Sequence, residues 1–473
     1  MIDKQKLYNT IDENAPEIIA LSDAIWEYAE LSMEEYKSAA YYCELLEKEG
    51  FTVERELCGI PTAFSGSFGS GSPRIGILGE FDALSGLSQV AGSTRKQSLV
   101  PGGNGHGCGH NLLGAGSFGA ALAIKKAIEA GALQGTVIFY GCPGEEGCAG
   151  KTFMARGGMF RDLDAALTWH PGSTNEVTVG SNAACMQVEY SFHGVASHAA
   201  GSPDKGRSAL DAAELMHVGV QFLREHMPPH SSVHYSITDG GGVSPNVVQA
   251  EAKTVFMVRS ETVRKAKELL HRVNNIAQGA ALMTDTQVTT RQIDGTASTV
   301  SNEALEQVMY ENMQQVPIPA YTQEELAFAQ VLHDTCPAAL PGTLSATNRD
   351  IRAFVEEKTD GGKRAMNDFI IPYVPSTMFT PGSTDVGDVS WLTPTAQFTT
   401  ATWVSGTPGH SWQNVSLGKT GIAYKGMLQA AKILAGAAAD LMESPALLEK
   451  IRKEFNKNAA GGYDCPIGKE VTF

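Results

Sequence analysis

A chain of 473 residues exceeds what one ordinary hydrophobic core organises, so two domains, or one domain carrying an insertion, is the expected plan. At 42% apolar and 19% charged residues the composition is that of a globular protein, with disorder confined to the termini. A formal net charge of −16 opposes approach to nucleic acid and to anionic membrane, and it requires that an anionic ligand be attracted by local charge.

The start, "MIDKQKLYNTIDENAPEIIALSDAIWEYAE", has no signal-peptide core and reads as acidic amphipathic helix, and no later run is long enough to span a bilayer. A cytoplasmic location is therefore expected. Helix is predicted over 15–49, followed by a short strand in "PRIGILGEF". Helical periodicity returns over 112–130, while "GTVIFYGCPGEEG" and "DAALTWHPG" each run apolar and then stop at polar chemistry. This alternation predicts an α/β fold: a mixed, largely parallel sheet flanked by helices, with ligands beyond the carboxyl ends of the strands.

Between about 183 and 299 the rhythm changes. Strands are predicted over 185–192, 233–238, 249–259 and 287–293, with helices over 207–226 and 263–282. That βαββαβ order is ferredoxin-like. It is read as an inserted lid and dimerisation domain, 184–298, which leaves 1–183 and 299–473 as a discontinuous catalytic domain. A capped helix restarts in "TVSNEALEQVMYENM", a late strand lies in "LTPTAQFTTATW", and helices over 421–443 and 446–456 close the chain. The stretch 316–380 carries one helix near 323–334 among many prolines and glycines. Eight cysteines with no CxxC pair and no regular spacing do not form a disulfide framework, and most are expected to be small buried side chains.

Metal-type side chains stand at four places where an apolar run stops or a Gly- or Pro-rich loop begins: Cys108 with His110 in "GHGCGHNLLG", Glu145 with Glu146, His170, and His410 in "GTPGHSW". Thiolate, imidazole and carboxylate together suit zinc or another borderline divalent ion, and oxygen ligands point to a catalytic site rather than a sealed structural one. Adjacent glutamates on extended chain point opposite ways, so one can ligate while the other faces substrate. A carboxylate beside an acidified water can take its proton and deliver one to a leaving nitrogen, which is amide hydrolysis.

The set "GEFDALSG", "GHGCGHNLLG", "PGEEG", "WHPG", "HGVASHAA", "SPNVVQAEAKTVFMVR" and "GTPGHSW" resembles the dinuclear-metal aminoacylase and carboxypeptidase superfamily. Within it the chain is most similar to the amidohydrolase branch of hippurate hydrolases, plant auxin-conjugate amidohydrolases and aminobenzoyl-glutamate utilisation proteins, above all the last. "GSTDVGDVSW" adds to that likeness. The resemblance implies that Cys108, His110, Glu146, His170 and His410 ligate two divalent ions, zinc or manganese, that Glu145 is general base and acid, and that Asp82 supports the metal site. The wider superfamily has histidine two residues before that aspartate and an aspartate bridging the metals; this chain has Glu80 at the first place and the Cys108/His110 pair near the second.

The resemblance also implies that His198, Asn246 and Arg259 of the insert reach a partner subunit's site, to hold the scissile carbonyl oxygen and the substrate carboxylate. An imidazole or amide donor suits an oxyanion and a guanidinium fork suits a carboxylate. Plainer roles stand beside these: His198 can cap a turn and Arg259 can be a strand-end cation. His106 reads as a surface or supporting histidine, His193 and His217 as packed or hydrogen-bonded, Asp385 and Asp388 as loop ties, and Cys142 and Cys148 as small fillers.

The expected activity is metal-dependent hydrolysis of an N-acyl or N-aroyl amino acid, p-aminobenzoyl-glutamate foremost, by a homodimer or by a heteromer with a related subunit. The alternatives are a dipeptidase or general N-acyl-amino-acid hydrolase, and a non-catalytic partner subunit of a heteromeric hydrolase.

Overall fold

The computed structural model describes residues 2–336, 340–341 and 348–473. They divide into two compact units: Met1–Gly180 with Val300–Met378 and Val389–Gly462, and Ser181–Thr299 with Phe379–Asp388 and Tyr463–Phe473. Strands β1 (Thr52–Arg55), β2 (Phe64–Ser70), β3 (Arg74–Glu80), β4 (Gly135–Cys142), β5 (Ala165–Gly172) and β6 (Glu176–Val177) belong to the first unit. The second contains β7 (Ser181–Asn182), β8 (Ala184–His193), β9 (Ser232–Asp239), β10 (Glu251–Ser260), β11 (Gln287–Thr296) and β12 (Phe379–Thr380). With β13 (Thr395–Ala401) the chain returns to the first.

The sheet of the first unit has the order β1-β2-β4-β3-β5-β13-β6. Its centre, β4-β3-β5-β13, is parallel, and β1, β2 and β6 pair antiparallel at the edges. Central strands covered on both faces need no polar alternation, which is why β4 is buried along its whole length. The helix His110–Glu129 is buried almost all round and packs on β3, β4 and the helix Gly421–Glu443. Small residues permit this approach: a Cβ on Gly114 would stand 2.6 Å from the Glu80 carbonyl oxygen and 2.2 Å from the Tyr42 hydroxyl. Because the four central strands are parallel, the chain leaves β3, β4, β5 and β13 at one edge of the sheet, and the polar chemistry that follows each strand is delivered there.

In the second unit β8, β10, β9 and β11 form a four-stranded antiparallel sheet of order β11-β8-β10-β9, with the helices Ala209–Arg224 and Val263–Thr284 packed on it. Its strands and helices follow one another in the βαββαβ order. Phe379–Asp388 and Tyr463–Phe473, remote in sequence, group with this sheet: Asp388 accepts hydrogen bonds from Ala297 N–H and the Tyr463 hydroxyl.

Three sequence expectations are corrected, and two strands went unforeseen. The helix predicted over 15–49 is two, Ala15–Tyr28 and Tyr36–Lys48, because Ala29 turns left-handed (φ 42°) and Leu31 bridges to Ala83. The Ser- and Gly-rich β2 escapes any apolar-run signal, as does the short exposed β1. Among the cysteines only Cys43, Cys142 and Cys185 are buried, and Cys58 is exposed. His106 is a buried side chain, its Nε2 2.9 Å from the Ile25 carbonyl, and so has no surface role. Within 316–380, helices form over Gln323–His333 and Arg349–Lys358; residues 337–339 and 342–347 lie outside the described residues. None of the described helices is long and apolar enough to cross a membrane.

Candidate active site

Gly109 at φ 77° turns the chain before the central helix, and lets that helix begin on His110 with Cys108 two residues before it. His170 comes from the end of β5, Glu145 and Glu146 from the loop after β4, and His410 from the loop after β13. His410 is exposed and held at φ 52°, a left-handed conformation uncommon outside glycine.

These residues converge. Ligand atoms of Cys108, His110 and His170 lie within 4.8 Å of one another, as do those of Cys108, Glu146 and His410, and those of Glu80, His110 and Glu145. Cys108 is common to the first two groups and His110 to the first and third. Cys108 Sγ is 3.4 Å from His170 Nε2, and His410 Nε2 is 3.3 Å from Glu146 Oε1.

The surroundings orient this set. His110 Nδ1 lies 2.7 Å from Asp82 Oδ1, and His170 Nδ1 lies 2.7 Å from the Pro171 carbonyl oxygen. When each Nδ1 donates, each Nε2 is left as a lone pair, the arrangement that prepares histidine to ligate. The second Asp82 oxygen accepts from Glu146 N–H (2.9 Å) and Ser32 Oγ (2.8 Å), so one carboxylate steadies both a histidine and the glutamate loop. Burial alone would raise the Asp82 pKa, but the His110 charge and these hydrogen bonds together hold it at about 2. Burial pushes the Cys108 thiol up. Burial would lower His110, yet Cys108 and Asp82 outweigh it and raise it well above an ordinary histidine.

The donor set fits a divalent ion. Glu80 Oε2 and His110 Nε2 are buried and face each other at 3.2 Å, and the buried Glu146 Oε1 faces His410 Nε2 at 3.3 Å, none of them in good hydrogen-bond geometry. Burying unsatisfied polar atoms costs about 1–3 kcal/mol each, a cost that a shared cation removes. Sulfur, nitrogen and oxygen in one pocket match borderline divalent metals.

The structure thus brings Cys108, His110, Glu145, Glu146, His170 and His410 together over Asp82. The predicted residues of the second unit do not form one cluster. His198 Nδ1 accepts from Ala200 and Gly201 N–H, which caps the turn and leaves Nε2–H as a donor, and the Asn246 carbonyl accepts from Ala199 N–H, so the loops of His198 and Asn246 lie side by side. Arg259 lies near the far end of β10, where its Nη1 donates to the Pro381 carbonyl and Ser383 Oγ. His217, buried, meets Thr254 Oγ1 at 2.9 Å, and His193 pairs with Glu251 at 2.6 Å.

Sequence reading passed over three contributors, Lys151, Glu35 and Ser32, and named Glu80 without giving it a role. Glu80 ends β3 inside the site, and the fully buried Lys151 holds it at 2.7 Å. Glu35 is buried and accepts from Gly144 N–H (2.8 Å) and Thr62 Oγ1 (2.9 Å), with burial and then the Asp82 charge pushing it up to about 8. Ser32 and Glu35 stand in the break between two helices, a signal hidden by the helical periodicity on either side.

Comparison with known proteins gives a match to the model of peptidase family M20/M25/M40 over residues 77–340. The chain belongs to that family. It is 43% identical to a p-aminobenzoyl-glutamate hydrolase subunit of Escherichia coli (strain K12) over 478 aligned residues, 99% of each chain. It is 30% identical to the Xaa-Arg dipeptidase of Mus musculus, covering 96% of this chain and 92% of that one. Among solved structures, the aminobenzoyl-glutamate utilization protein from Klebsiella pneumoniae superposes with a TM-score of 0.59 at 18% identity, covering 92% and 98% of the two chains. This M20 chain is accordingly a hydrolase acting on an amide bond, with candidate metal-ligand groups in its first unit.

Proposed function

We propose that the protein hydrolyses the amide bond of an N-acyl or N-aroyl amino acid in the cytoplasm, with p-aminobenzoyl-glutamate as the leading substrate. The observation that carries this reading is the convergence of two ligand groups on one thiol, Cys108, beside Glu145. Cys108, His110, Glu146, His170 and His410 hold two divalent ions, zinc or manganese. Such ions supply Lewis acidity, polarising an amide carbonyl and lowering the pKa of water.

Glu145 takes the proton of the attacking water on its carboxylate and passes it to the leaving nitrogen. Asp82 keeps His110 in the Nδ1–H tautomer throughout. His198 is assigned to the carbonyl oxygen in a partner subunit's site through Nε2–H, since its Nδ1 already accepts two backbone N–H groups. Asn246 joins it there, and Arg259 is assigned to the substrate carboxylate, its fork steadied by Pro381 and Ser383. A net charge of −16 makes that local cation necessary for an acidic substrate. The 43% identical relative is named as one subunit of a hydrolase, which supports a related chain as partner, with a homodimer as the other arrangement.

A dipeptidase is the second reading, favoured by the 30% identical Xaa-Arg dipeptidase. A panel of aminobenzoyl-glutamate, other N-acyl amino acids and dipeptides separates the two. The test of the chemistry is Glu145→Ala: the variant is expected to keep its metal and lose turnover on aminobenzoyl-glutamate, and retained turnover would remove Glu145 from its role.

A further inference from the structure

The metal pocket contains a charge that the proposed reaction does not use. Lys151 lies in the short helix Gly150–Arg156, directly after the Glu145–Glu146 loop, and its side chain is fully buried. That helix starts hard against the loop, because a Cβ on Gly150 would fall 2.0 Å from the Pro143 carbonyl oxygen. Lys151 Nζ lies 2.7 Å from Glu80 Oε1. The other oxygen, Oε2, has no hydrogen-bond partner among the described residues and faces His110 Nε2 at 3.2 Å.

A histidine must be neutral to ligate, and His110 directs its Nδ1 at Asp82. Glu80 Oε2 and His110 Nε2, 3.2 Å apart, are placed to share one cation. Glu145 offers a third ligand atom within 4.8 Å of both.

We propose that Lys151 is a positioning residue: by holding Glu80 Oε1 it aims Oε2 beside His110 and makes Glu80 an additional ligand for one of the two ions. The proposal rests on the metal-dependent reading above. Charge balance agrees with it. Thiolate Cys108 and the carboxylates of Glu80, Asp82, Glu145 and Glu146 carry five negative charges, which two divalent ions and one lysine neutralise. Without Lys151, Glu80 loses a fixed orientation, and loss of such an outer partner typically lowers metal affinity about 10- to 100-fold.

The test titrates purified, chelator-stripped protein with Mn²⁺ and, separately, Zn²⁺, reading the stoichiometry and affinity of each ion together with the circular dichroism spectrum. Wild type is expected to bind two ions. Lys151→Met is expected to keep one and bind the other about 10- to 100-fold more weakly, with Lys151→Arg restoring most of the loss. Glu80→Gln should reproduce the defect, and the pair Lys151→Met with Glu80→Gln, which leaves no orphan charge, should add little to it. Two ions bound with wild-type affinity by Lys151→Met, or by Glu80→Gln if the lysine variant does not fold, would overturn the proposal. A wild type that binds no ion, or that binds as well after Cys108→Ala or His170→Ala, would instead refute the metal-dependent reading.

Discussion

Asp82→Asn is the most informative single change, because one carboxylate serves three donors. Its Oδ1 faces His110 Nδ1 at 2.7 Å, and its Oδ2 accepts from Glu146 N–H and Ser32 Oγ. An asparagine of the same shape has one oxygen, so either His110 or the Glu146 loop meets an NH₂ group that cannot accept. The carboxyl is held at about 2 against an ordinary 3.8, a shift that corresponds to about 2–3 kcal/mol of folding free energy. Because the folded-state pKa is depressed, this stability is present above about pH 4 and lost as the pH falls through about 2. The gap between wild type and variant in denaturant unfolding of the chelated protein should therefore be about 2–3 kcal/mol at pH 7 and close as the pH falls from about 4 to about 2. Chelator competition should show metal affinity reduced about 10- to 100-fold, or roughly 1.4–2.7 kcal/mol, because His110 loses the partner that selects its tautomer. An Asn variant that binds metal as tightly as wild type and keeps its pH profile of unfolding would refute the argument that Asp82 orients the site.

His198→Ala should lower kcat on the best substrate about 10²- to 10³-fold while leaving metal content unchanged, if its Nε2–H meets the developing oxyanion; an unaltered kcat would leave His198 as a turn cap. Asp294, in the second unit, is pushed up to about 7 by burial and then by the Asp385 charge, against Arg259. A raised folded-state pKa means stability fully present below about pH 4 and lost as the pH rises through about 7, with an upper bound of about 4 kcal/mol. Asp294→Asn should remove that decline and raise the unfolding midpoint relative to wild type at pH 8 but not at pH 4; equal midpoints at both would show that Asp294 ionises without penalty.

Legibility followed the nature of each signal. The buried runs of β3, β4 and β5 and the alternation along β8 and β10 read directly, because strand burial imposes a period that side chains obey. β2 did not, since "FSGSFGS" pairs through its backbone and presents little apolar side chain. The residues of the metal pocket stood out as Gly- and Pro-flanked polar stops, whereas no local pattern marked Lys151 or Glu35. Only the packing of β3 against the glutamate loop buries that lysine and gives it Glu80 as partner.

Sequence by itself determined the kinds of atoms available and their places after successive strands: one thiol, three imidazoles and two adjacent carboxylates, each where an apolar run ends. Tertiary structure decided which of them share a pocket. Parallel strands deliver their carboxyl ends to a common edge, so ligand atoms of residues separated by some three hundred positions come within 4.8 Å of one another. It also decided the supporting charges, because whether a lysine or a glutamate is solvated or buried depends on what packs over it, and no local pattern encodes that.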